Sequence, residues 1–189
     1  MKTYLLLFFL FPLFVCSQSN SLNFGTNNTL DVVTWNLEWF PKNGNITIDS
    51  LKSIIEKIDA DVYALQEIDN IGSFNVLKNQ LLGYSGLLKN TSNLNLAFLY
   101  KNSITVDSAY SILDDYDYVF AGRTPFVIDL NYNGMNISLF NNHFKCCGDG
   151  TLNTGDNSDE EYRRLQAMNY LKNYIDNNNY SNAIILGDL

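Results

Sequence analysis

The chain is poor in histidine, cysteine and basic residues. Its 189 residues include one histidine, three cysteines and twelve lysines and arginines against twenty acidic residues, and the net charge is −8. The basic residues form no cluster, which argues against a protein that grips long nucleic acid through a basic face. An enzyme that meets phosphates locally, through a cation and one or two arginines, remains open.

Two of the cysteines, Cys146 and Cys147, are adjacent. A structural zinc site needs separated pairs of ligands, so these two do not match its spacing. An oxidising compartment would permit a vicinal disulfide or an intermolecular bond between them. Two reduced thiols in a loop are the alternative.

Long apolar runs are also lacking, except over residues 4–15. About a dozen residues are too few to cross a bilayer of roughly 30 Å as a helix. The basic start and the polar residues that follow predict a secretory signal peptide over residues 1–17, cleaved after Ser17. The expected product, residues 18–189, is a single secreted or periplasmic domain. Lipid anchoring at Cys16 is the alternative.

Hydrophobic patterning predicts an α+β protein with layered sheets. Asp49 is expected to cap a first helix, and Asn133-Gly134 to form a hairpin turn. A later helix from Asp159 to about Ile175 is expected to bury Leu165, Met168 and Leu171, and to use Arg163 and Arg164 in ion pairs with Glu160 or Glu161. Strands are predicted over residues 31–39, 61–65, 84–88, 94–100, 104–113, 126–130, 135–141 and 183–186, with a weaker helix over 74–82.

Five polar residues lie at or beside the ends of these strands: Asn36, Glu67, Arg123, His143 and Asp188. An ionised carboxylate beside a buried strand is costly without a partner, and a hard cation removes that cost. An imidazole can shuttle a proton or donate to a phosphoryl oxygen, and a guanidinium fork suits a phosphate. Each residue taken singly also has an ordinary structural explanation. It is the order of the five along the chain that indicates a function.

In that order the chain resembles the endonuclease/exonuclease/phosphatase superfamily, which includes deoxyribonuclease I, inositol-polyphosphate 5-phosphatases and neutral sphingomyelinases. The resemblance covers residues from about 31 to the end. The matching segments are Val33-Thr34-Trp35-Asn36-Leu37, Leu65-Gln66-Glu67-Ile68, Gly122-Arg123-Thr124-Pro125-Phe126, Asn142-His143-Phe144 and Ile185-Leu186-Gly187-Asp188.

The resemblance implies a deoxyribonuclease I-like four-layer α/β/β/α sandwich and metal-dependent cleavage of phosphate esters. It implies that Glu67 is the main Mg²⁺ ligand, with Asn36 beside it, and that Mn²⁺ or Ca²⁺ are alternative ions. His143 would act on the scissile phosphate and Arg123 would contact a substrate phosphate. Asp188 would orient the attacking water.

The family pattern continues beyond Gly-Asp, whereas this sequence stops at Leu189. We therefore expect a C-terminally truncated chain with an incomplete second sheet, inactive and poorly soluble by itself, from an active full-length parent. The expected activity is that of an extracellular nuclease with nucleic acid as substrate and no stable protein partner. A secreted phospholipid or inositol-phosphate phosphodiesterase is one alternative, and a non-enzymatic binding protein that keeps the fold is another.

Overall fold

The computed structural model describes residues 25–26 and 28–189. The expected signal peptide, with Cys16, lies outside these residues. Within the described part, eight strands, three α-helices and one 3₁₀ helix alternate along the chain. In order they are β1 (Val32–Phe40), α1 (Asn45–Ile58), β2 (Val62–Ile68), α2 (Ile71–Gln80), β3 (Tyr84–Lys89), β4 (Asn95–Lys101), β5 (Thr105–Ser111), the 3₁₀ helix (Asp114–Tyr116), β6 (Phe126–Tyr132), β7 (Met135–His143), α3 (Glu160–Asn177) and β8 (Ala183–Asp188).

The strands form two four-stranded sheets. The first has the order β1-β2-β4-β3 and the second β5-β6-β7-β8. Within each sheet one pair is parallel, β1 with β2 and β7 with β8, and the other pairs are antiparallel. Strands of a parallel pair end at the same edge of the sheet, so their last residues are brought side by side.

Side chains of β2 alternate between two hydrophobic cores, as the two-residue repeat of a strand requires. Tyr63 and Leu65 point outward, where α1 and α2 cover the first sheet. Val62 and Ala64 point inward and pack against the second sheet. On the far side, α3 packs on the outer face of the second sheet. The layers are therefore helix, sheet, sheet and helix, which confirms the predicted α+β sandwich.

Several predicted elements need correction at their ends. The first helix begins at Asn45 with Gly44 at its N-cap position, so Asp49 lies within the helix and does not cap it. Strand β2 extends to Ile68, so Glu67 is part of the strand and does not merely follow it. The predicted turn at Asn133-Gly134 is confirmed, with φ of 51° and 83° at the two positions, and it joins β6 to β7.

The predicted inner face of α3 is confirmed at Leu171 and wrong at Leu165 and Met168. Leu165 and Met168 are 41% and 40% exposed, whereas Arg163, Ala167 and Leu171 are buried. Residues 163, 167 and 171 are spaced four apart and form one stripe of the helix. The small side chain of Ala167 lets that stripe lie close to the sheet. The spacing of apolar residues in the helix does not by itself identify this stripe as the buried one.

Among the residues that the structure describes, no helix is both long and apolar enough to cross a membrane.

Candidate active site

Four of the predicted site residues meet at one end of the sandwich. Asn36 and Glu67 come from the parallel pair of the first sheet, and His143 and Asp188 from the parallel pair of the second. His143 and Asp188 are register partners. His143 Nε2 lies 3.6 Å from Glu67 Oε1 and 3.8 Å from Asp188 Oδ2. Strands far apart in sequence thus place two carboxylates, an amide and an imidazole close to one another.

The side-chain amide of Asn36 links the two sheets. Its Nδ2 donates to Glu67 Oε1 at 2.9 Å and to Asp188 Oδ2 at 2.8 Å. Its Oδ1 accepts from the Glu38 N–H at 2.9 Å. In this arrangement the amide supports both carboxylates. The predicted role of Asn36 as a metal ligand requires its oxygen to turn toward Glu67, and that role stays a prediction.

Glu67 lies in an irregular part of β2. The pairing of β2 with β1 and with β4 shifts register around this residue, and its φ is +61°. A non-glycine residue in this left-handed region costs of order 1 kcal/mol and is concentrated at functional sites. The Trp39 N–H donates to Glu67 Oε2 at 3.1 Å. The register shift and the positive φ together form a bulge in β2, and the bulge lies at Glu67, which carries the central carboxylate.

His143 is buried and held without charge. Burial lowers its pKa to about 4, and the nearby positive charge of Arg123 adds to this, while Asp188 and Glu67 act in the opposite direction. Its Nδ1 has no hydrogen-bond partner among the described residues. A neutral imidazole at neutral pH has one N–H donor and one acceptor nitrogen. It can therefore donate one hydrogen bond to a phosphoryl oxygen, and its other nitrogen is free to accept a proton.

Arg123 lies behind the end of β7 that carries His143 and is 5% exposed. Its Nε donates to the His143 carbonyl at 2.9 Å and its Nη2 to the Phe144 carbonyl at 2.8 Å. Burial lowers the pKa of this guanidinium. The structure shows that Arg123 holds the strand end that carries His143. Its predicted contact with a substrate phosphate would use the remaining N–H groups.

Sequence reasoning missed a buried amide pair that supports the site. Gln66 Nε2 donates to Asn141 Oδ1 at 2.7 Å, and Asn141 Nδ2 donates to the carbonyls of Leu65 and Ala97 at 3.1 and 3.0 Å. These bonds tie β2 and β4 of the first sheet to β7 of the second, next to Glu67 and His143. The run of polar residues that ends the apolar strand β7 was the available signal.

The glycine before Asp188 also has a structural reason. Gly187 has φ of 130°, and a Cβ at this position would lie 2.0 Å from the Asn142 carbonyl oxygen. Only glycine lets β8 approach β7 this closely, so the Gly-Asp sequence follows from the packing of the parallel pair.

The carboxylates fit a divalent cation. Among the described residues, neither Glu67 nor Asp188 has a lysine or arginine within 4.0 Å, and the adjacent imidazole is neutral. Two negative charges with only amide donors beside them favour a hard cation. No group of three or more histidine, cysteine, aspartate or glutamate residues in the described part could enclose an ion. A cation at Glu67 would therefore keep several water or substrate oxygens, as Mg²⁺ does.

The two arginines of α3 have different surroundings. Arg164 pairs with Glu161 at 3.1 Å, as predicted, and also donates to the carbonyls of Lys145 and Cys147. Arg163 was predicted to pair with a glutamate, but its Nη2 donates to the Tyr118 carbonyl, and no carboxylate in the described part lies within 4.0 Å of it. The helix turns Arg163 inward, toward the loop before Arg123.

Cys146 and Cys147 are exposed and both are free. Their sulfur atoms lie 2.9 Å apart, in the loop that follows β7. The two sulfur atoms are not bonded to each other in this structure, and the redox state of the pair stays a prediction.

The sequence matches the Endonuclease/Exonuclease/phosphatase family over residues 33–189. A four-layer sandwich whose strands carry Asn36, Glu67, His143 and Asp188 agrees with that match. The chain belongs to this family, whose members are phosphoric ester hydrolases and generally depend on a divalent metal. Among curated proteins, none matches the sequence.

Solved structures share the fold at low sequence identity. TDP2 of D. rerio, complexed with a single-strand DNA product, superposes with a TM-score of 0.68 at 16% identity over 84% of this chain and 58% of its own. A β-hairpin deletion mutant of beta toxin from Staphylococcus aureus gives 0.61 at 13% identity over 86% and 67%. The human nocturnin catalytic domain with bound sulfate gives 0.54 at 18% identity over 84% and 63%. The chain spans between 46% and 61% of the length of the TDP2 chains it matches.

Proposed function

We propose that this protein is a secreted, Mg²⁺-dependent phosphodiesterase that hydrolyses nucleic acid. The observation that carries the proposal is the meeting of Asn36, Glu67, His143 and Asp188, from four strands, at one end of the sandwich. A binding protein that merely kept the fold would need none of these four groups together. Export through a signal peptide over residues 1–17 is part of the proposal.

Each residue has a role that its surroundings support. Glu67 would hold the cation, which when bound would stabilise negative charge on the phosphoryl oxygens. Asp188 would accept a hydrogen bond from the attacking water and orient it in line with the leaving oxygen. Neutral His143 would donate to a phosphoryl oxygen. Asn36 keeps the two carboxylates in place, and Arg123 holds the end of β7 and would contact a substrate phosphate.

Nucleic acid is the substrate class that we favour. Of the structural neighbours, TDP2 of D. rerio was solved with a single-strand DNA product. The acidic net charge suits an enzyme that contacts phosphates locally and releases its product readily.

The test is hydrolysis by the natural full-length protein. Cleavage of plasmid DNA and of bis-p-nitrophenyl phosphate should require Mg²⁺ or Mn²⁺ and stop with EDTA. Glu67→Gln keeps the size of the side chain but removes its charge, and we expect activity to fall by about 10³-fold or more. Glu56→Gln is the matched control, since Glu56 is exposed on α1 and pairs with Lys52.

Undiminished hydrolysis by Glu67→Gln would overturn the metal site. A higher kcat/KM on phospholipid or phosphoinositide vesicles than on DNA or RNA would replace the nuclease with a lipid phosphodiesterase. Absence of hydrolysis of every phosphodiester, with each of Mg²⁺, Mn²⁺ and Ca²⁺, would favour a non-enzymatic binding protein.

A further inference from the structure

A second concavity lies beside the candidate active site, and we call it the Tyr118 groove. It has a volume of about 380 Å³, and Tyr118, Arg123, Lys145 and Arg163 form part of its wall. Lys145 also lines the neighbouring concavity that contains Asp188. The two concavities therefore share a wall, and a chain bound across Asp188 could continue into the Tyr118 groove.

Two buried arginines line this groove without a carboxylate at salt-bridge distance. Arg123 is 5% and Arg163 8% exposed. Among the described residues neither has a carboxylate within 4.0 Å, although Asp117 also lines the groove. Their hydrogen bonds go to backbone carbonyls, and Arg163 Nε has no partner in the described part of the chain.

A buried cation without an anionic partner destabilises the folded protein. Two of them beside one groove also repel each other. An anion in the groove would relieve both effects, and a phosphate accepts several N–H donors at once. Lys145 adds a third positive group, partly offset by Glu160 at 3.6 Å.

Tyr118 supplies a flat surface in the same wall. The residue is 58% exposed. The guanidinium of Arg163 lies 4.3 Å from the centre of its ring and covers one face. An exposed aromatic ring held on one side by a cation is a good platform for a nucleobase on the other side.

We propose that the Tyr118 groove binds the nucleotide next to the scissile phosphate, with its base stacked on Tyr118 and its phosphate facing Arg123 and Arg163. This inference rests on the proposed function, and it adds a subsite for unpaired bases. Stacking needs a base that is free of its partner strand, so the groove would favour single-stranded or frayed substrates.

The test measures binding in EDTA, where the proposed enzyme does not turn over. Fluorescence anisotropy would compare a short labelled oligothymidylate with an abasic oligomer of the same length and charge, using the natural full-length protein. We expect the oligothymidylate to bind roughly 5- to 100-fold more tightly. Tyr118→Ala should abolish this difference, and Tyr118→Phe should keep it.

A second variant tests the phosphate part of the site. Lys145→Gln should weaken both oligomers about equally and reduce the dependence of binding on salt.

Equal binding of the two oligomers by the unmodified protein, or unaltered base preference in Tyr118→Ala, would overturn the subsite. Tyr118-dependent binding of phosphoinositide vesicles in place of the oligomer would overturn its nucleotide specificity. If base-dependent binding is found but no hydrolysis occurs with any metal, the groove stands and the proposed activity fails.

Discussion

Asp188 lies directly opposite His143 in the parallel β7–β8 pair, with its Oδ2 3.8 Å from His143 Nε2. The Phe144 N–H donates to the Asp188 carbonyl at 2.8 Å and continues the ladder one step further. Strands in such a ladder are held at a spacing of about 4.8 Å. The separation of the two catalytic candidates is therefore set by backbone hydrogen bonds, and it does not depend on a mobile loop.

The first prediction concerns that pair. Asp188→Asn should leave the fold intact, since an amide has the same shape as a carboxylate. In the natural full-length protein it should lower kcat by about 10²- to 10⁴-fold, because the group that orients the water loses its charge. Steady-state kinetics with bis-p-nitrophenyl phosphate would measure this. Asp156→Asn, in the exposed loop before α3, is the control, and an equal loss in both variants would contradict the assignment.

The second prediction concerns the close approach of β8 to β7. Gly187→Ala places a Cβ about 2.0 Å from the Asn142 carbonyl oxygen, at φ of 130°. We expect a loss of about 3–5 kcal/mol in the free energy of unfolding, measured by urea denaturation. Gly134→Ala also has a positive φ, 83°, but nothing lies within 4 Å of its added Cβ. It should lose only about 1–2 kcal/mol. Similar losses would show that the contact with Asn142 is unimportant.

The third prediction concerns the amide between the carboxylates. Asn36→Asp puts a third negative charge where Nδ2 now donates to Glu67 and Asp188. In EDTA we expect a loss of roughly 2 kcal/mol of stability from the like charges. Mg²⁺ should raise the melting temperature of this variant more than that of the unmodified protein, because a cation relieves the repulsion. Asn153→Asp, in an exposed loop, should show no added Mg²⁺ effect; an equal response in both would exclude cation binding at Asn36.

The fourth prediction concerns acid stability. Burial raises the pKa of Asp114, but hydrogen bonds from Ser111 and Thr124 and the charge of Lys89 outweigh it and hold the pKa below its usual value. Because the folded-state pKa is depressed, the ionised carboxylate stabilises the protein above the unfolded-state pKa of about 3.9, and this contribution is lost as pH falls through the folded-state pKa.

Asp114→Asn should therefore reduce stability near neutral pH and flatten its decline in acid. The effect should stay below about 1 kcal/mol, since the side chain is largely exposed. Urea denaturation at a series of pH values below 5 would measure it. An Asp114→Asn profile parallel to that of the unmodified protein would contradict the depressed pKa.

Local pattern was sufficient for most strands and for the hairpin at Asn133-Gly134, because burial repeats every two residues and that turn requires positive φ. Local pattern was not sufficient where contacts with other elements determine which residues are buried. Leu165 and Met168 are apolar yet partly exposed, while Arg163 is buried. Which stripe of α3 faces the sheet depends on the shape of the surface beneath it, and that shape is absent from the helix's own sequence.

In the candidate site, too, some features could be predicted from the sequence and others could not. The order of Asn36, Glu67, His143 and Asp188 was visible in the sequence, because each lies in or beside an apolar strand and matches a family segment. The bulge at Glu67, the amide pair of Gln66 and Asn141, and the inward turn of Arg163 were not visible, because each depends on contacts between distant segments.

The sequence by itself indicated the layered α+β class, through its local periodicity, and the family, through the resemblance of short segments that carry Asn36, Glu67, His143 and Asp188. Only the tertiary structure decided that the parallel pairing of β1 with β2 and of β7 with β8 brings those four groups within hydrogen-bonding or near-contact distance. Only the tertiary structure, too, placed Tyr118 and Arg163 beside Arg123. The physical reason is that strand register and helix orientation are set by burial and hydrogen bonding between segments far apart in the chain.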